Sequence, residues 1–158
     1  MTTGFDKRRE RGSDDPTTIR SLAVTADDVV TALEAHQRAD RPAVLRVTPP
    51  FAGRMRARLH LVGGEGGYDG GAAPLHIHPA AFVDSGVDTV PLVDETEDEL
   101  RQQDEYSVER HREFHEEAVD AWRESVRAGL VGRLELETES TSHAVDVKYL
   151  GRRAESSG

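Results

Sequence analysis

The chain has 158 residues, of which 36% are hydrophobic and only 5% aromatic, enough for one domain with a modest core of valine, leucine and alanine. Its 30 acidic residues against 20 basic ones give a formal net charge of -10, which argues against broad nucleic-acid binding because phosphate contacts need a basic surface. The absence of cysteine excludes disulfides and thiolate metal sites.

Among the basic residues only Lys7 and Lys148 are lysines. An acidic, lysine-poor surface suits concentrated salt, where the Debye length falls to roughly 3 Å at 1 M and self-repulsion is muted. No apolar run approaches the roughly 20 residues needed to span a bilayer. No apolar segment follows the basic residues of the N-terminus, so a secretory signal is not expected and the expectation is a cytoplasmic protein without membrane contact.

Residues 1–16 are polar and lack periodicity, and are read as a disordered tail ahead of a single domain over 17–151. Thr25 followed three residues on by Asp28 makes a capping box, with Val24 and Val29 as the matching hydrophobic staple. The spacing predicts a first helix over about 26–39, ended by Asp40, Arg41 and Pro42. A hairpin follows, PAVLRVT with GRMRARLHLV, joined through Pro49, Pro50 and Phe51. In its second strand Met55, Ala57, Leu59 and Leu61 alternate strictly with Arg54, Arg56, Arg58 and His60, the pattern of a half-buried strand. The glycine-rich stretch 63–73 does not have dinucleotide-loop spacing and reads as a flexible connector. PLHIHPAAFV is extended as far as His78, and a short acidic helix with a capping box from Thr96 to Glu99 precedes the longest element.

That element is 107–130. Val108, Phe114, Ala118, Val119, Ala121, Trp122 and Val126 gather on one side at about 100° per residue. Ser107 is its N-cap and Gly129 its stop. A second hairpin closes the domain, with Leu134 and Leu136 facing one way in GRLELETE, and Val145, Val147 and Tyr149 in HAVDVKYLG. Residues 152–158 read as a second disordered tail. The order αββ-αββ predicts an α+β, two-layer domain in which a mainly antiparallel four-stranded sheet carries two amphipathic helices.

The segments VTADDVVTALEA, VLRVTPPFAGRMRARLHL and AVDVKYLG, with the acidic composition, resemble an uncharacterised family of small proteins from halophilic archaea, a domain of unknown function. The resemblance implies a cytoplasmic, salt-adapted protein and transfers no activity.

Three constellations carry chemistry. His76 and His78 lie two apart in an extended segment, and His111 and His115 one helical turn apart, so each pair shares a face; together they would suit zinc, copper or nickel. Against that, the metalloprotease spacing fails because Glu does not follow His111, and core-edge histidines bonded to nearby acceptors explain the same pattern. Arg46, Arg54, Arg56 and Arg58 form a strip that could hold phosphate or RNA, yet no aromatic alternates with them. Cross-strand pairing with Glu135, Glu137 and Glu139 is the plainer expectation. Phe51, in an exposed turn, is the candidate partner anchor. Neither a G-x-S-x-G elbow nor a cysteine nucleophile is present, so the sequence points away from an enzyme. The expected role is a non-enzymatic binding or accessory protein with a protein partner or a second copy, without cofactor; a histidine metal site and an arginine-strip RNA or DNA module are the alternatives.

Overall fold

A computed structural model describes residues 13–38, 42–62, 73–138 and 141–151. The elements are β1 (Ser21–Thr25), α1 (Ala26–Arg38), β2 (Ala43–Val47), β3 (Arg54–Arg56), β4 (Arg58–Leu61), β5 (Leu75–Ile77), α2 (Val93–Gln102), α3 (Val108–Ala128), β6 (Arg133–Glu137) and β7 (Ser142–Leu150). Short 3-10 turns cover Pro16–Thr18 and Pro79–Phe82. The Gly-rich connector and both chain ends fall largely outside the described residues. Of the expected N-terminal tail, Ser13 lies within them and forms an antiparallel bridge with Phe51.

The fold is mixed α+β, but the single, mainly antiparallel four-stranded sheet is corrected to two sheets. One has the order β3-β1-β7-β6 and the other β4-β2-β5. In the first, β1 runs parallel to both β3 and β7 while β6 and β7 form the expected antiparallel hairpin. The second is antiparallel throughout. The residue behind this division is Ala57. In an extended strand the peptide groups of alternate residues point to opposite sides. Ala57 N–H donates to Ala23 O at 2.9 Å on the β1 side, whereas Val62 N–H donates to Pro42 O at 2.9 Å on the β2 side. The stretch 54–61 therefore serves both sheets, and the strands follow one spatial order: β5, β2, the shared stretch, β1, β7, β6. Both sheets bury their apolar faces in one core containing Leu22, Leu45, Val47, Phe82, Leu136 and Val145.

The helices form where their caps predict. Thr25 Oγ1 accepts from Asp28 N–H at 3.0 Å, and Ser107 Oγ from Arg110 N–H at 3.0 Å. Helix α2 starts at Val93 rather than with a Thr96 cap, because the Glu95 carboxylate reaches back to Leu92 N–H at 3.0 Å. Helix α3 does not lie across a sheet as expected; it packs on α2 and α1. Only its C-terminal half reaches the core, through Trp122 and Val126. Val108, at the other end of the helix, is 73% exposed. Trp122 Nε1–H donates to Asp88 O at 2.8 Å, tying α3 to the loop before α2.

Candidate functional site

The histidines of α3 are placed by helical period, one turn apart, and α2 brings Thr96 against them. Thr96 is buried, at 3% exposure, and its hydroxyl faces both rings. The hydroxyl lies 2.8 Å from His111 Nε2, 2.9 Å from His115 Nδ1 and 3.1 Å from Val93 O. A hydroxyl has one proton and two lone pairs. With that proton on the Val93 carbonyl, both imidazoles donate to Oγ1, which fixes the tautomer of each ring by protonating the nitrogen that faces Thr96. His76 and His78 go elsewhere. The His76 ring sits 5.3 Å from that of His60, and the His78 ring 4.1 Å from that of His36. His78 Nδ1 accepts from Ala80 N–H at 3.0 Å, and burial, then the neighbouring His36, pushes the His78 imidazole below its usual pKa. No group of three or more His, Cys, Asp or Glu side chains among the described residues is arranged to hold a metal. The four histidines thus do not form one ligand set.

The arginine strip is divided at Ala57. Arg46 and Arg58 are register partners in the three-stranded sheet, where Arg46 also faces His76 across β5. Arg54 and Arg56 stand on β3, opposite Ser21 and Ala23. The expected ladder to Glu135 and Glu137 is not formed, because β3 and β6 are opposite edges of their sheet with β1 and β7 between them; Glu139 lies outside the described residues. Instead Arg56, Ala23 and Lys148 share one row. Arg56 Nε is buried with no hydrogen-bond partner among the described residues.

Phe51 is not an exposed anchor. It is 1% exposed, within the core, because the Ser13–Phe51 bridge folds the turn back over the domain.

The run of strands ends at a cleft of about 800 Å³ between β5 and β6. Phe51, Ile77 and Leu136, all buried, close its floor. Asp14, Asp15, Glu135 and Glu137 also line it. Asp15 is held below the usual carboxylate range by hydrogen bonds from the Thr17 N–H at 3.0 Å and hydroxyl at 2.8 Å. The β6 wall has a defined polarity. Val147 N–H donates to Gly132 O and Thr138 N–H to Thr141 O, at 2.9 and 2.7 Å. Antiparallel pairs alternate between bonded and non-bonded, so the peptide groups of Leu134 and Leu136 face β7. Those of Arg133, Glu135 and Glu137 face the outer edge, where no described strand pairs with them.

Sequence reasoning missed Thr96 as a histidine partner and missed the cleft. The first had a signal, since a histidine pair on the buried side of a helix needs a polar neighbour on the helix that packs there. The cleft had none, since its walls are far apart in the chain.

Among the described residues, three helices and two sheets, one of mixed pairing and one antiparallel, define a small α+β domain whose edge strands β5 and β6 flank an acidic cleft. Residues 8–151 match the family model described as Domain of unknown function (DUF8009), and the chain belongs to that family. No curated protein and no solved structure matches it. No helix among the described residues is long and apolar enough to cross a membrane.

Proposed function

We propose that this chain is a salt-adapted, non-enzymatic binding protein of the cytoplasm of a halophilic archaeon, taking a protein partner in the cleft between β5 and β6. One feature supports this above the rest: the cleft combines a buried apolar floor with a strand edge whose Glu135 and Glu137 peptide groups are turned outward. Such edges recruit further strands unless they are blocked. The acidic, lysine-poor composition supports the salt adaptation and the location. Ala81 lines the cleft with its side chain exposed, so Ala81→Trp fills the cleft without touching the core. Affinity capture with this variant should lose the partner seen with the wild type while the melting temperature holds. An unchanged set of captured proteins would refute the reading.

A second reading is supported by Arg56. Its unpartnered buried Nε, with Lys148 one strand beyond Ala23 and Arg54 beside it on β3, suits an anion such as an RNA phosphate on the outer face of the four-stranded sheet. Salt-sensitive RNA binding lost in Arg56→Glu would support it, and binding indifferent to that change would remove it.

A further inference from the structure

We propose that the partner presents an extended segment of alternating basic and apolar side chains that adds to β6 as a further strand; this deepens the partner-binding reading of the same cleft and rests on it.

The backbone of β6 supplies the template. The outward-turned N–H and C=O groups of Glu135 and Glu137 are two residues apart, the repeat at which an added strand offers its own bonded groups. The side chains of β6 then specify what the added strand must carry. Glu135 and Glu137 are exposed on one face, while Leu134 and Leu136 are buried on the other. Residues of the added strand that share the glutamate face stand beside two carboxylates, where a like charge is repelled and arginine or lysine is attracted. The alternate residues turn toward Leu136, Phe51 and Ile77 and must be apolar. Asp14 and Asp15 add to the negative rim, and no arginine or lysine among the described residues lines the cleft. A second copy of this chain is a poorer occupant, because Arg133 is the one basic residue on the outward edge of β6 and antiparallel pairing of two such edges leaves at least one glutamate of each copy without a basic partner.

The proposal is tested with the full chain and a labelled short peptide of alternating arginine and valine, followed by fluorescence anisotropy. The peptide should bind. Replacing its arginines by glutamate should weaken binding by roughly tenfold or more. Methylating every second peptide nitrogen, in the register that faces β6, should abolish it. In the doubly substituted Glu135→Lys, Glu137→Lys protein the preference should invert toward the glutamate peptide; both positions are exposed, and the melting temperature verifies that the variant is folded. Failure to bind, or binding that survives methylation in both registers or ignores the peptide's charge, overturns the proposal. So does a native mass showing a dimer that separates in Glu137→Lys, since the occupant would then be a second copy. Ala81→Trp distinguishes the two levels. If the arginine–valine peptide does not bind yet Ala81→Trp still abolishes partner capture, the strand chemistry falls and the cleft reading stands. If the peptide binds the Ala81→Trp protein as tightly as wild type, the strand proposal falls, and if partner capture also persists in that variant, the cleft reading falls with it.

Discussion

Three residues decide how the sequence should be read. Phe51 follows two prolines in a turn, a context that suggests exposure, yet it is buried at 1%. Phe51→Ala should therefore cost about 3–5 kcal/mol of stability by leaving a cavity, measured by urea denaturation. Unaltered stability would return Phe51 to the surface. Thr96 gives one hydroxyl to two imidazoles. Thr96→Val should cost about 1–3 kcal/mol, because His111 and His115 lose that partner at a part-buried site, and Thr96→Ser should recover most of it. Equal stability of the valine and serine variants would show the hydroxyl to be idle. His78 adds a pH dependence whose sign follows from its lowered pKa. As the pH falls below the ordinary value of 6.5, the unfolded chain takes up a proton that folded His78 refuses until its own lower value is reached. Stability should rise with pH across that window. His78→Asn, which keeps an acceptor for Ala80 N–H, should show a shallower slope in denaturation midpoints; an identical slope would exonerate His78. The His111 and His115 pair was legible from helical spacing, but its Thr96 partner was not, nor were the His60 and His36 neighbours of His76 and His78, since periodicity places side chains on a face and says nothing about what packs there.

Elements with local signatures were the legible ones. Helices α1 and α3 begin at their Thr25 and Ser107 caps, and the β6–β7 hairpin follows from alternation alone. Strand β1 was not legible. Its partner β7 lies at the far end of the chain and pairs in parallel, so no turn residue announces it, and its five residues lead straight into the Thr25 cap. The 54–61 stretch alternates as a single hairpin arm does, and no local feature at Ala57 announces that it serves two sheets. The end of α3 is a site where element packing can be tested. A Cβ on Gly129 would lie 2.5 Å from Val87 Cγ2 and 3.3 Å from Ser125 O, while Gly129 O accepts from Asp84 N–H at 2.8 Å. Gly129→Ala should thus push the loop off the helix end and cost about 1–3 kcal/mol. Gly86→Ala, which meets nothing within 4 Å, is the control that should melt like the wild type. Equal melting of the two variants would show that the helix end does not depend on this close approach.

At the scale of the whole molecule the charge is the dominant legible property. A formal net charge of -10 on one small domain is self-repulsive in dilute buffer. The melting temperature should rise with added KCl, because screening relieves repulsion more than it weakens exposed pairs such as Arg101–Glu97; a flat or falling curve counts against a salt-adapted surface. The α+β class was also legible from composition and pattern. The division into two sheets was not, because it depends on pairings between distant segments. That division gives the molecule the mechanics of a split ring. Its spring is the 54–61 strand, clamped to β1 through the Ala57 amide and to β2 through its other edge, and its gap lies between strands from the middle and the end of the chain. The segment that leaves β5 latches one end of that gap, where Phe82 O accepts from Val131 N–H at 2.9 Å and Val83 bridges Leu130 just ahead of β6, so the ring can part only at its other end.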